Sequence, residues 1–199
     1  MVRAEPIRML LAHANVKFID KRFSFSEWPA LKPGMPNQQV PCLEFKDGKR
    51  VGQSNAILRM LGKKHGYYPT DPMQVFKCEE LIDLYLDVVG VIYKPYFEKD
   101  ESEKQTMCDN VFDNVLPKFL NHVEPLLSKG GAYLLGDNLT TADFWIGGLY
   151  TNFIANPDIG FAEERWQAVT DSYPNFKAYG ERFAKANHDW ISTRPSNPL

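Results

Sequence analysis

The stretch Tyr68-Pro69-Thr70-Asp71-Pro72 constrains the fold of this chain more than any other. Its two prolines lack backbone N–H groups and hold φ near −65°, so no regular element passes through them. Before it, helical and strand-like patterns alternate. After it, only the helical period remains. The chain therefore divides into an α/β unit over residues 1–67, a linker over 68–74 and an all-helical unit over 75–199. A length of 199 residues accommodates two such units.

In the first unit, Pro6 to Asn15 is expected to be helical, with Pro6 in the first turn and Ile7, Leu10, Leu11 and Ala14 on one face. Val16 to Phe23 has the pattern of a strand, with Phe18 and Phe23 turned inward. The prolines of Trp28-Pro29-Ala30-Leu31-Lys32-Pro33-Gly34-Met35-Pro36 predict a loop. Two short strands, Val40 to Phe45 and Arg50 to Val51, are joined by Asp47-Gly48, a hairpin signal. Ser54 then caps a helix that carries Ile57, Leu58 and Leu61 to about Lys64.

In the second unit, Leu81, Ile82, Tyr85, Val88, Val89 and Ile92 share one face of a long helix from about Met73. Another is expected from Ser102 to Leu127 with Val111, Val115, Phe119 and Val123 as its stripe, bent by Pro117. Thr140, followed three residues later by Asp143 and then by Phe144-Trp145-Ile146, has the pattern of a reciprocal helix cap. A further helix spans Tyr173 to Lys185, and Thr193 to Leu199 reads as an extended tail.

Composition narrows the function. The net charge of −2 supplies no attraction for nucleic acid or an acidic membrane. No apolar run approaches membrane-spanning length, and Met1-Val2-Arg3-Ala4-Glu5 lacks the apolar core of a signal peptide. Three separated cysteines, Cys42, Cys78 and Cys108, form neither a disulfide framework nor a metal-ligand spacing with the histidines. A cytoplasmic protein without a metal is expected.

The chemistry concentrates between Val40 and Ser54. A proline opening an inner strand, as in Val40-Pro41, is unfavourable unless it has a special role. Two readings stand: a cis bond that turns backbone N–H and C=O groups toward a ligand, or a proline at a sheet edge. Gln53-Ser54 lies where a strand gives way to a helix, and free N–H groups there attract a carboxylate. The Ser54 hydroxyl either adds a donor or only caps its own helix. Trp28 and Lys32, one helical turn apart, offer an indole N–H and an ammonium to a second carboxylate.

Taken in order, Arg-Ala-Glu-Pro-Ile-Arg (3–8), Trp28, Lys32, Gln39-Val40-Pro41, Asp47-Gly48 and Gln53-Ser54-Asn55-Ala56-Ile57 resemble the cytosolic glutathione transferases. Thr140-Thr141-Ala142-Asp143 and the Trp190-Ile191…Arg194-Pro195 ending look like the same family. The similarity is strongest toward the sigma class, with mu and pi behind it. It implies a thioredoxin-like domain that binds glutathione and a helical domain that walls a hydrophobic pocket. By this resemblance Val40, before Pro41, pairs with the cysteinyl backbone of glutathione. Gln53 and Ser54 hold the γ-glutamyl carboxylate, and Trp28 and Lys32 hold the glycyl end. Gln39 stands where the family often has a lysine, so it hydrogen-bonds without charge. Tyr93, Phe97 and Trp145 are candidates either for the hydrophobic pocket or for ordinary bundle core. A homodimer is implied, although Gly90-Val91 offers no carboxylate where sigma-like proteins often reach toward the partner's γ-glutamyl group; Asp87 and Asp83 lie one and two turns earlier.

The resemblance also implies a first strand ending near a Tyr whose hydroxyl stabilises the glutathione thiolate. A free thiol is mostly protonated at neutral pH, and a hydrogen bond to the charged form lowers its pKa. No Tyr, Ser or Cys precedes Arg3 in this sequence. Three functions follow as expectations. The first is a transferase that conjugates glutathione to hydrophobic electrophiles, its hydroxyl lying in an upstream segment. The second is a glutathione-dependent isomerase of the prostaglandin D synthase kind. The third is a non-catalytic binder of glutathione or a hydrophobic ligand, with Arg3 lending at most partial activation.

Overall fold

A computed structural model describes residues 3–156 and 162–195. The chain begins with α1 (Glu5–His13), whose Pro6 lies in the first turn and whose Ile7, Met9, Leu10 and Leu11 are buried. A short helix α2 (Trp28–Leu31) runs into 3-10 turns at Lys32–Gly34 and Pro36–Gln38. Strands β1 (Leu43–Glu44) and β2 (Arg50–Val51) pair antiparallel, Leu43 opposite Val51, and α3 (Ser54–His65) follows. Its left-handed Gly66 cap sits where the apolar period stops.

Asp71 caps α4 (Pro72–Ile92) by accepting from the Met73 and Gln74 N–H groups. α5 (Lys94–Phe97) is a single turn, and α6 (Glu101–Asn110) leads toward α7 (Leu116–Leu127). Between α6 and α7, Val111–Val115 winds as a π-helix in which the Leu116 N–H reaches the Val111 carbonyl. Pro117 has no N–H for the Asp113 carbonyl, and the wider turn absorbs that gap where the sequence predicted a simple bend.

Every residue of α8 (Thr141–Leu149) is buried, and a second π-helical turn, Tyr150–Ile154, continues it. The predicted reciprocal cap is present at its start: Thr140 N–H and Oγ1 both donate to Asp143 Oδ2, at 2.7 and 2.8 Å. α9 (Glu163–Ser172), α10 (Pro174–Ala186) and α11 (His188–Thr193) complete the bundle. The core lies where α4, α10, α1 and α3 pack on α8, with α7 against α4 and α10. Thr141 N–H donates to the Tyr67 carbonyl at 2.8 Å, docking the end of the first unit directly on α8.

The strand expected at Val16–Phe23 does not form. Among the described residues no strand lies beside it, so its backbone has no ladder to join. Side chains hold it instead. Phe18 packs on Trp190 with ring centroids 5.4 Å apart, and Asp20 takes ion pairs from Arg8 and Arg22 at 2.8 and 2.7 Å. Phe23, expected inward, is 37% exposed. α9 and α11 were not anticipated. The extended tail is followed as far as Pro195, and residues 196–199 lie outside those described. Among the described residues no helix is long and apolar enough to cross a membrane.

Candidate functional site

The Val40–Pro41 peptide bond is cis, which selects one of the two readings that the sequence left open. Gln39 leads into it in extended conformation, and β1 begins two residues beyond Pro41. Val40 is exposed, and neither its N–H nor its C=O is paired to another described residue. A free backbone donor and acceptor on an extended segment are what a peptide-like ligand can pair with.

Gln53 is the N-cap residue of α3, with φ at 69°. A non-glycine residue there holds about 1–3 kcal/mol of backbone strain, repaid by turning the chain from β2 into α3 over one residue. The first intrahelical bond is from Ile57 N–H to the Gln53 carbonyl. The N–H groups of Ser54, Asn55 and Ala56 therefore head the helix without intrahelical partners, the ordinary condition of a helix start. Ser54 was expected to cap this helix. It is instead the first helical residue, buried, and α3 carries no side-chain cap. Beside it the Asn55 Oδ1 is buried without a partner.

Across from this helix start, Gln53 Nε2 donates to Gln39 Oε1 at 3.3 Å, so residues on either side of the hairpin meet. The approach requires Gly52, where an added Cβ would stand 3.1 Å from Pro36 Cβ. On the far side of Gln39 lies an open cleft of about 710 Å³, lined by Lys32, Pro33, Met35, Asn37, Gln38 and Gln39. Asn37 and Gln38 have φ of 54° and 52°, the left-handed region. Arg50 fastens this loop to the hairpin, donating to Glu44 at 2.6 Å and to the Gly34 carbonyl at 3.2 Å. The lining offers one cation and three side-chain amides and no carboxylate, a set of groups suited to a polar, anionic molecule.

Lys32 N–H caps α2 at the Trp28 carbonyl, which places the two residues one turn apart as the spacing predicted. The Trp28 ring stacks on Phe23, centroids 5.5 Å apart and planes 13° apart. Met35, Asn37 and Gln38 had no role in the sequence reading. The Met35-Pro36-Asn37 turn chemistry was the available signal, since Asn tolerates left-handed backbone.

The remaining candidates lie elsewhere and do not line this cleft. Arg3 is exposed just before α1. Tyr93 packs on Phe153 with centroids 5.3 Å apart, and its hydroxyl is buried without a partner. Burial pushes the Tyr93 hydroxyl well above its usual pKa, a rise reinforced by Tyr85 and opposed by the Arg3 charge. Phe97 is 65% exposed at the end of α5. Trp145 is 1% exposed and packs beside Tyr85 in the bundle core. Cys42, next to Pro41, is half-buried, and burial raises its thiol pKa, away from the reactive thiolate.

Residues 2–64 match the family described as "Glutathione S-transferase, N-terminal domain", and residues 86–191 match "Glutathione S-transferase, C-terminal domain". The chain is 32% identical over 205 residues to probable glutathione S-transferase 7 of Caenorhabditis elegans, covering 98% of this chain and 93% of that protein. Its fold superposes on prostaglandin synthase D of Nilaparvata lugens with a TM-score of 0.83 at 29% identity, covering 98% and 94% of the two chains. A monomeric glutathione S-transferase of the hookworm Necator americanus superposes with a TM-score of 0.84 at 29% identity, covering 99% and 94%.

Proposed function

The chain belongs to the glutathione S-transferase family, and we propose that it joins the thiol of glutathione to a hydrophobic electrophile. One observation carries the site: the Gln39–Gln53 hydrogen bond sets the free backbone of Val40 beside the open start of α3. An extended tripeptide with a carboxylate at each end meets every feature of that surface. The Val40 N–H and C=O pair with its cysteinyl backbone. The first N–H groups of α3, the Ser54 hydroxyl and the Gln53 amide take the γ-glutamyl carboxylate. Lys32, Trp28 and Gln39 take the glycyl end, where Gln39 supplies a donor without charge.

So held, the sulfur needs only to be a thiolate and to face the electrophile. The thiolate lone pair attacks an electrophilic carbon, a C–S bond forms, and a leaving group departs or a conjugated double bond takes up a proton. Holding both reactants in one site supplies the proximity term. Tyr93 and Phe97 are the apolar side chains proposed for the electrophile, whereas Trp145, 1% exposed beside Tyr85, is proposed as bundle core. Arg3 is proposed to favour the thiolate by its charge alone. The protein is proposed to act as a homodimer in the cytoplasm.

Retention on immobilised glutathione, with turnover of an aryl halide or enone that depends on glutathione, is the expected result. A chain that is not retained would remove the site reading. Retention with no conjugate from any aryl halide, enone or peroxide would leave a binding protein. An isomerised endoperoxide without conjugate would instead assign the isomerase reaction.

A further inference from the structure

The segment from Lys17 to Phe23 leads into the Trp28 turn, yet no backbone hydrogen bond joins any of its residues to the rest of the protein among the described residues. Its order rests on side chains. Phe18 lies on the Trp190 ring, and Asp20 accepts from Arg8 Nε at 2.8 Å. Both anchors lead to one carboxylate. Glu5, 2% exposed, accepts from Arg8 Nη1 at 3.2 Å through one oxygen. Through the other it accepts from Trp190 Nε1 at 2.7 Å and from Arg194 Nη1 at 3.0 Å. Arg194 is fixed in turn, donating to Asn152 Oδ1 at 2.9 Å and to the Thr151 carbonyl at 2.8 Å on the π-helical turn after α8.

The charges alternate along a line, Arg194, Glu5, Arg8, Asp20, Arg22, from just beyond α11 across the start of α1 to the segment before Trp28. We propose that Arg194 and Trp190 are positioning residues that hold the 17–28 segment, and with it Trp28, through Glu5 and Arg8. The physical reason is the burial of Glu5. A buried carboxylate that loses a donor is left under-compensated, so its remaining donors rearrange around it. Arg8 and the Trp190 ring are those donors, and they are also the anchors of the segment. Among the described residues the segment joins no ladder, so these side-chain contacts weigh more in keeping its place. The functional part of this inference rests on the proposed role of Trp28 and Lys32 in holding the glycyl end of glutathione.

The test is limited trypsin digestion of the full chain, with glutathione affinity measured by calorimetry. For Arg194→Gln, cleavage after Lys17, Lys21 and Arg22 is expected to run on the order of tenfold faster, while cleavage after Lys77 in α4 and Lys118 in α7 keeps its rate. Arg194→Lys retains one donor for Glu5 but not the fork that also reaches Asn152 and Thr151, so it should fall between parent and Arg194→Gln. Glutathione affinity should drop several-fold in the order of the cleavage effect. Where Arg194→Gln does not fold, Trp190→Phe carries the same test, because it keeps a ring for Phe18 and removes only the donor to Glu5. Unchanged cleavage within the segment, or acceleration spread evenly over the chain, would overturn the proposal. A parent chain that binds no glutathione would instead remove the site reading, and the cleavage result would still decide the positioning role.

Discussion

Gln53 and Gln39, fourteen positions apart, share a hydrogen bond of 3.3 Å between their side-chain amides. Each flanks one element of the candidate site, Gln39 the cis Val40–Pro41 bond and Gln53 the start of α3. Each side chain keeps further donors or acceptors for a ligand, because an amide carries two donors and two acceptor sites.

Replacing Ser54 with alanine is expected to weaken glutathione binding by about 1–3 kcal/mol, the loss of one donor to a charged acceptor. Stability should change little, because α3 takes no cap from a side chain. Calorimetric titration measures the first effect and urea unfolding the second. Equal affinity for parent and variant would remove Ser54 from the site.

Asp143→Ala should do the reverse. The Asp143 carboxylate is fully buried and accepts from Leu134 N–H at 3.0 Å, from Thr140 N–H and hydroxyl, and from the Tyr179 hydroxyl at 3.2 Å. Removing it leaves several buried donors without an acceptor, a loss of about 3 kcal/mol or more. Glutathione affinity of the folded variant should match the parent. A stable variant with lost affinity would show that this cap belongs to the site.

His13 makes stability depend on pH. Its Nδ1 lies 2.7 Å from the Tyr67 hydroxyl beside Phe144, and burial holds the imidazole pKa below its usual value. The unfolded chain then binds a proton that the folded protein resists. The stabilisation is complete above about pH 6.5 and is lost as pH falls toward the depressed folded value. Urea midpoints measured from pH 8 down to pH 5 should fall less steeply for His13→Gln than for the parent. Parallel curves would exclude His13 as the titrating group.

Gly147→Ala should destabilise the bundle. A Cβ at Gly147 would stand 2.4 Å from the ring of Phe183, which is fully buried on α10. The helix-propensity gain of about 1 kcal/mol is outweighed by overpacking of about 1–3 kcal/mol. Thermal unfolding reads the balance. A variant as stable as the parent would mean that α8 and α10 separate without penalty.

Much of the helical half was legible because its signals are local. The apolar period gave α4 and α10 to within a residue or two, and Thr140 with Asp143 announced the start of α8. Trp145 was ambiguous for a stated reason. α8 is apolar on every face, so no moment distinguishes a core side from a pocket side, and only packing beside Tyr85 assigned it. Val16–Phe23 was misread because a strand is a property of two segments. Its residue types suit a ladder, but pairing depends on a neighbour that a local pattern does not supply. α9 and α11 went unread, since α9 buries only Trp166 and Thr170 and α11 buries nothing fully.

By itself, the sequence determined the helical periods and the reciprocal cap, and it offered a division at Tyr68–Pro72 and a candidate residue set for a glutathione site. Each follows from backbone restrictions or side-chain chemistry within a few positions along the chain. Only the tertiary structure decided which of those residues meet. It set Gln39 on Gln53 and made Val40–Pro41 cis. It also drew Arg194 back across the molecule to Glu5, 189 positions away in sequence. The Arg-Ala-Glu segment and the Arg194-Pro195 ending were both in view from the start, but nothing in either says that one neutralises the other. A buried carboxylate requires donors, and which donors reach it depends on how the helices pack.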